Sequence, residues 1–324
     1  MLIAAAAIIA GFAILVWSAD LFIVGAASIA RNMGMSPIII GMTIVSIGTS
    51  APEVLVSLTA AFSGAGELAI GNAIGSNIAN IGLVMGITLL VTPIFVMQRA
   101  IKKELIILLG VTALAGLALA DNVLTGAEGW LMLAALALVM VFILRGQTQD
   151  STLKLETEEE PLPDLPTGRA WLTFAIGLLL LIASSRLLVW GAVIAAYRLG
   201  VPELLIGLTV IAIGTSLPEL AATVTSARRG HTEIAIGNVI GSNLFNLMAV
   251  MAIPGIVSTQ ALAPAVLLRD YPSMALLTAL LALAVYVGGK RKAAGPGQAY
   301  IGRTVGTLFV TLYALYYYLL YSSL

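Results

Sequence analysis

Long apolar runs separated by short polar stretches extend along the whole chain. Backbone in lipid must satisfy its own hydrogen bonds, and these runs lack the alternation of membrane barrel strands, so each run is expected to be helical. A spanning helix needs about 20 mostly apolar residues. The pattern predicts an all-α polytopic membrane protein with ten transmembrane helices. The runs lie at about 3–30, 37–62, 68–96, 104–120, 123–144, 170–197, 203–227, 233–260, 272–288 and 299–321.

The composition excludes several classes of protein. Hydrophobic residues make up 60% of the 324 residues and charged residues only 10%, against about 25% charged residues in soluble domains. Sixteen basic and sixteen acidic residues cancel, so the chain lacks the basic surface of a nucleic-acid binder. No cysteine and one histidine exclude thiolate and histidine-rich metal sites. We see no phosphate loop, Ser-His-Asp set or zinc-ligand spacing, and expect neither enzyme activity nor a cofactor. No protein partner can be inferred.

The basic residues predict the orientation in the membrane. Thirteen of the sixteen Lys and Arg residues fall in loops on one side, Arg198 and Arg269 fall on the other, and Arg186 lies within a span. Cytoplasmic loops carry the excess of Lys and Arg. We therefore expect an inner (cell) membrane protein with both termini outside and the acidic, proline-rich stretch 146–168 as a cytoplasmic linker.

An internal repeat divides the chain into two halves. Residues 38–87 align without a gap on residues 204–253 at an offset of 166, with 25 identities in 50 positions. Five predicted spans separate corresponding points, and an odd number reverses the second copy in the bilayer. Inverted repeats are typical of secondary transporters, whose ion sites lie near the midplane. We expect a first five-helix repeat at 1–145 and a second, inverted one at 169–324.

Two glutamates stand out because they lie deep inside the repeats. Glu53 and Glu219 are equivalent under the offset, and an acid at mid-bilayer costs about 2.5–3.5 kcal/mol on insertion scales. The alternative is structural, because Ser50 and Ser216 precede these acids at the spacing of a helix capping box. That alternative does not explain a charge stranded in hydrocarbon in both copies, so we favour a cation site.

Other oxygens of both copies surround the two acids in sequence. Pro52 and Pro218, with the nearby Gly48 and Gly214, should break their helices and release carbonyl groups. The neutral side-chain oxygens belong to Thr49, Ser50, Asn72, Ser76, Asn77 and Asn80, and to Thr215, Ser216, Asn238, Ser242, Asn243 and Asn246. Oxygen-only chemistry suits Ca²⁺, which accepts six to eight oxygens in irregular geometry.

The paired segments GTSxPE and GNxxGSNxxN resemble the alpha repeats of the calcium/cation antiporter superfamily, the sodium/calcium exchangers. The resemblance covers nearly the whole chain and is closest to the short prokaryotic exchangers. It implies that Glu53 and Glu219 bind Ca²⁺ together with the carbonyls of Thr49 and Thr215. It also implies sodium sites formed by the same two acids together with Ser50, Ser76, Ser216, Ser242 and the carbonyls of Ser46 and Ala212. Asn80 and Asn246 complete the centre of the binding site.

One departure bears on the coupling ion. Some archaeal relatives carry Asp where this chain has Asn246, so this site has one negative charge fewer. The difference bears on the number of sodium ions exchanged and on the sensitivity to protons, but not on the binding of calcium. We therefore expect exchange of Ca²⁺ for Na⁺ by alternating access, with both ions as substrates. The alternatives are an antiporter of the same fold that uses H⁺ or depends on K⁺, and, less favoured, a cation channel, which usually has a continuous pore between symmetric subunits.

Two residues in the first span of each half need a separate interpretation. Asp20 and Arg186 are equivalent under the offset and have opposite charges. Either they form an ion pair between the halves, or each faces a headgroup or a polar cavity.

Overall fold

The structure is a computed structural model that describes residues 1–146, 163–200, 210, 212–291 and 295–322. Most of the predicted linker and residues 201–209 and 211 of the second repeat copy lie outside these ranges.

Helices account for most of the described first half. Leu2–Met33 is a single long helix, and the next predicted span is divided into short pieces. The helices are α1 (Leu2–Met33), α2 (Pro37–Ile40), α3 (Ser46–Thr49), α4 (Ala51–Phe62), α5 (Gly66–Ala79), α6 (Gly86–Val91), α7 (Gln98–Ala118) and α8 (Gly126–Gly146). Two π-helical segments, Gly41–Val45 and Asn80–Met85, join α2 to α3 and α5 to α6.

The described second half repeats this order. Its helices are α9 (Thr167–Arg198), α10 (Ala212–Thr215), α11 (Leu217–Arg228), α12 (Thr232–Phe245), α13 (Ala252–Val257), α14 (Tyr271–Gly288) and α15 (Arg303–Ser322). A π-helical segment at Asn246–Val250 joins α12 to α13, and another at Val266–Asp270 precedes α14.

Short strands, which the apolar pattern does not predict, tie the two halves together. β1 (Ile94–Met97) pairs antiparallel with β4 (Gln298–Ile301), and β2 (Val123–Leu124) pairs antiparallel with β3 (Gln260–Ala261). Each ribbon joins a strand from one half to a strand from the other.

Seven helical stretches within the described ranges are long and apolar enough to cross a membrane, and the bent pair Pro37–Thr49 and Ala51–Phe62 gives an eighth candidate. α7 has 21 residues but carries four charges in its first seven. The predicted run 203–227 begins in undescribed residues. The polytopic helical membrane fold is confirmed, while the count of ten spans stays a prediction.

The longest two helices, α1 and α9, pack antiparallel along each other. A Cβ atom built on Gly11 would lie 2.9 Å from the Leu188 backbone nitrogen, and one on Gly177 would lie 2.5 Å from that of Phe22. The repeat offset maps Gly11 onto Gly177 and Phe22 onto Leu188. The two close approaches are therefore the same contact made once from each half.

Candidate cation site

Both repeats interrupt a helix just before the buried acid. Ser50 separates α3 from α4 with φ −82° and ψ 6°, and Ser216 separates α10 from α11 with φ −88° and ψ 5°. The first interruption bends the chain by 46°. Proline follows each serine by two residues, as predicted, and lacks the N–H that would continue the preceding helix. Neither serine side chain caps the next helix, so the capping-box alternative has no support.

The two acids are buried near each other in the described bundle. Glu53 and Glu219 are each only 1% exposed and are close enough for their charges to interact. The Ser50 hydroxyl donates to Glu219 Oε1 over 3.3 Å, and Thr49 lies near that carboxylate. Residues of the first repeat thus contact the acid of the second.

The asparagines Asn80 and Asn246 each begin a π-helical segment. The segment that starts at Asn80 packs against α11, which carries Glu219, and the one that starts at Asn246 packs against α4, which carries Glu53. Each asparagine therefore lies on an element that contacts the acid-bearing helix of the other half. Single π-helical turns inside α-helices occur often at functional sites, but sequence spacing alone did not reveal these.

Half of the twelve predicted site residues present buried side-chain atoms without a hydrogen-bond partner among the described residues. Buried polar groups are normally hydrogen-bonded, so a concentration of exceptions indicates a ligand. The atoms are Glu53 Oε2, Glu219 Oε2, Ser216 Oγ, Ser242 Oγ, Asn80 Oδ1 and both amide atoms of Asn246.

Most of the predicted set is buried in the bundle. The buried members are Ser46, Thr49, Ser50, Glu53, Ser76, Asn80, Ser216, Glu219, Ser242 and Asn246. Thr215 is half-buried, and the side chain of Ala212 is not described. The Ser46 carbonyl accepts the Ser50 N–H at 3.0 Å and the Thr49 hydroxyl at 3.4 Å, so a cation would compete with these donors for its oxygen. No group of three or more His, Cys, Asp or Glu side chains occurs in the described ranges, and the two acids are the only charged members.

Two hydroxyl residues that sequence reasoning missed support the site. The amide of Asn238 donates to Thr223 Oγ1 at 2.9 Å, and its Oδ1 accepts from Thr49 at 3.2 Å. Ser57, the repeat equivalent of Thr223, donates to the Val250 carbonyl at 2.8 Å. Ser57 and Thr223 lie one turn after the acids, and the signal that could have found them is a hydroxyl kept at equivalent positions of both copies.

Glycines near the site allow close packing of helices in the second copy. Cβ atoms on Gly237 and Gly241 would lie 2.5 Å from the Ile38 carbonyl oxygen and 2.4 Å from that of Met42. Nothing described lies within 4 Å of such atoms on Gly71 and Gly75, whose equivalent partners fall in undescribed residues.

Access to the site differs on the two sides of the pair. A cavity of about 520 Å³ separates α4 from α9 and reaches Pro52 and Thr215 beside the acids. Its walls include Val56 and Arg186. The equivalent helices α11 and α1 instead pack together, and Ala222, the repeat equivalent of Val56, is fully buried. A cavity therefore lies beside the site on one side of the acid pair, and the equivalent helices pack together on the other.

Of the two alternatives for Asp20 and Arg186, the ion pair between them is not formed. Asp20 instead pairs with Arg229 at the end of α11, and Arg186 lines the cavity between α4 and α9, whose walls are mostly apolar. The offset identified equivalent positions, but α1 and α9 are antiparallel, so equivalent residues do not have to face one another.

Comparison with known proteins agrees with this arrangement. The family described as "Sodium/calcium exchanger protein" matches residues 3–145 and 169–322. The putative antiporter CaxA of Alkalimonas amylolytica is 45% identical over the full length of both chains. Sodium/calcium exchanger MaX1 of Methanosarcina acetivorans is 29% identical over 87% of this chain and 91% of its own.

Solved structures of the sodium-calcium exchanger NCX_Mj have the same fold. The form soaked without Na⁺ and Ca²⁺ has a TM-score of 0.82 and 27% identity, covering 97% of this chain and 98% of its own. The helical membrane fold, the repeated acid motif and the match over both halves lead to one assignment: the chain belongs to the sodium/calcium exchanger family.

Proposed function

We propose that the protein exchanges Ca²⁺ for Na⁺ across the membrane by alternating access to one site near the midplane. Family membership supports cation antiport with calcium as a substrate. The relative named a sodium/calcium exchanger supports Na⁺ as the coupling ion.

The single observation that carries the proposal is the pair of buried acids from opposite halves, surrounded by unpartnered oxygens. Two carboxylates balance the charge of one Ca²⁺, and serine and asparagine oxygens can complete its coordination. In this proposal Glu53 and Glu219 bind Ca²⁺ with the carbonyls of Thr49 and Thr215. The sodium sites use the hydroxyls of Ser50, Ser76, Ser216 and Ser242 and the carbonyls of Ser46 and Ala212. Asn80 and Asn246 complete the centre of the binding site.

The same charges account for exchange without leakage. Two neighbouring carboxylates repel strongly in a medium of low dielectric constant, so a site empty of cations is costly. The protein would then change conformation only with cations bound. Calcium and sodium compete for the same oxygens, and their gradients decide the direction.

The difference between the two access routes supports alternating access. Because the halves are related by an inverted repeat, exchanging their conformations would close the cavity between α4 and α9 and open the equivalent one between α1 and α11. The present form would be open on the side of Ser63 and Ala65, which line the cavity beyond the end of α4.

We also propose the architecture that these conformations need. It consists of ten spans in two inverted five-helix repeats, 1–145 and 169–324, connected by the cytoplasmic linker 146–168. Antiparallel packing of α1 on α9 through offset-related glycines supports the inversion. The excess of basic residues in the proposed inner loops supports an orientation with both termini outside.

Calcium uptake into proteoliposomes tests the function. Vesicles loaded with Na⁺ should take up radioactive Ca²⁺ when placed in sodium-free medium, and vesicles loaded with K⁺ or with protons should not. Uptake driven equally by protons or potassium would refute Na⁺ coupling, and no gradient-driven uptake in any arm would refute antiport.

The acids provide the matched variants. Glu53→Gln and Glu219→Gln keep the side-chain shape but remove half of the charge, so each should reduce uptake to that of empty liposomes. Glu67→Gln removes an acid of α5 whose Oε1 accepts the Ala263 N–H, and should retain uptake. Normal uptake by either site variant would remove that glutamate from the site.

A further inference from the structure

A second cavity lies far from the acids, between the start of α7 and the end of α14. It has a volume of about 390 Å³ and is lined on its apolar part by Leu105, Ile106, Leu109, Ala282 and Val285. Ile106 is 59% exposed and Leu109 is 36% exposed. The apolar wall is therefore an open groove on the outside of the bundle, where hydrocarbon chains surround a membrane protein.

Three basic side chains lie at one end of this groove. Arg99 and Lys102 belong to the first turns of α7, and Lys290 follows the last turn of α14. None of the three forms an ion pair with a carboxylate in the described part of the chain. The acid of the same stretch, Glu104, lies near its neighbour Lys103 and near Glu233 of α12. The end of the groove thus carries positive charge that is not paired with a carboxylate of the described residues.

Tyr286 fixes the position of one of these charges. Lys290 donates to the Tyr286 hydroxyl at 3.0 Å and lies 4.3 Å from the centre of its ring. The ammonium group has three donors, so two remain for another acceptor. Gln98, the first residue of α7, links this helix to α14 by donating to the Val285 carbonyl at 3.3 Å. The basic end is therefore held between two helices that are bonded to each other.

We propose that this groove binds an anionic phospholipid. The phosphate group would lie among Arg99, Lys102 and Lys290, and an acyl chain would lie along the wall of Ile106, Leu109 and Ala282. Basic pockets between helices at the cytoplasmic face are suited to anionic headgroups, and guanidinium and ammonium groups are the usual partners of phosphate. A free phosphate ion would use the basic end but not the apolar wall.

Native mass spectrometry of the purified full-length protein tests the proposal, with phosphatidylglycerol and phosphatidylethanolamine as probes. A basic side chain near an anionic surface contributes about fivefold in affinity, so the variant Arg99→Gln/Lys102→Gln/Lys290→Gln should bind phosphatidylglycerol on the order of 100-fold more weakly. Lys102→Gln alone should lose about fivefold, which keeps the test valid if the triple variant misfolds. Binding of phosphatidylethanolamine should stay unchanged.

The control removes the same charge from the same end of the bundle outside the groove. Lys103→Gln/Arg291→Gln/Arg303→Gln should retain phosphatidylglycerol affinity within about threefold, because the local contacts and not the net charge carry the binding. An equal loss in this control would overturn the proposal in favour of non-specific attraction.

The acyl part has its own test. Ala282→Phe fills the apolar wall without changing charge, and should weaken phosphatidylglycerol binding while leaving the thermal midpoint of the protein unchanged. Unaltered binding in this variant, together with displacement of the lipid by millimolar inorganic phosphate, would show a phosphate-ion site and overturn the lipid assignment. Equal affinity of the unmodified protein for the two lipids would also overturn it.

Discussion

The ion pair between Asp20 and Arg229 should hold the closed side of the site shut. It connects α1 to the end of α11, the helix pair that is packed together where α4 and α9 are apart. Asp20→Asn removes one charge and keeps the side-chain shape. The substitution should therefore favour the form in which α1 and α11 separate, without changing an atom of the cation site.

The size of the effect follows from exposure. The Asp20 side chain is 44% exposed and that of Arg229 is 37% exposed, so solvent screens the pair. The ion pair should therefore stabilise the closed contact by about 0.2–1 kcal/mol, as exposed pairs do. A loss of about 0.4–1 kcal/mol changes the ratio of the two forms by about two- to fivefold. Transport rate should change accordingly, while the apparent calcium affinity should stay within about twofold.

Two single cysteines report the ratio of forms directly, because the chain contains no cysteine of its own. Val56→Cys places the thiol in the open cavity, and Ala222→Cys places it at the equivalent buried position. With a membrane-impermeant maleimide, Asp20→Asn should slow labelling at 56 and accelerate labelling at 222, so that the ratio of the two labelling rates changes by about two- to fivefold.

Arg229→Gln should have the same effect, and combining it with Asp20→Asn should add nothing further, because both changes remove one interaction. Asp164→Asn breaks an exposed pair between Arg31 and Asp164 and should leave the labelling ratio unchanged. Unchanged labelling in Asp20→Asn, or a change in calcium affinity without a change in rate, would refute a gate role for this pair.

Two further variants test packing and support of the site. Gly25→Val should lower the thermal midpoint in detergent, because even a Cβ atom there would lie 2.4 Å from the Phe174 backbone nitrogen; Gly110→Ala, with nothing described within 4 Å, should not. Thr223→Val removes the acceptor that orients Asn238, and a lost buried hydrogen bond of about 1–3 kcal/mol should weaken calcium binding by about five- to 100-fold. Thr278→Val removes a buried hydroxyl that bonds only within its own helix; equal losses in both variants would contradict a specific role for Thr223.

The sequence was sufficient to predict the features that repeat or that cost energy in lipid. Apolar runs predicted the helical membrane fold, and two acids at equivalent positions identified the residues that the structure brings together. Proline at the same place in both copies predicted the helix interruptions. These signals are local or depend on a simple offset, so no three-dimensional information was needed.

Boundaries and partners were harder to predict. The start of α7 was expected at about residue 104 but lies at Gln98, because long basic side chains reach the membrane surface from positions inside a helix. The π-helical segments at Asn80 and Asn246 follow from packing between halves and have no local sequence pattern. The partner of Asp20 depends on the antiparallel crossing of α1 and α9 and on which side of the site is closed.

The most direct test of the central claim is the position of the bound ion. Anomalous difference maps from crystals grown with Ca²⁺ should show one peak between the halves, within about 2.3–2.6 Å of carboxylate oxygens from both Glu53 and Glu219. A peak that contacts only one of these acids, or calcium bound elsewhere while both carboxylates remain without a cation, would contradict the account.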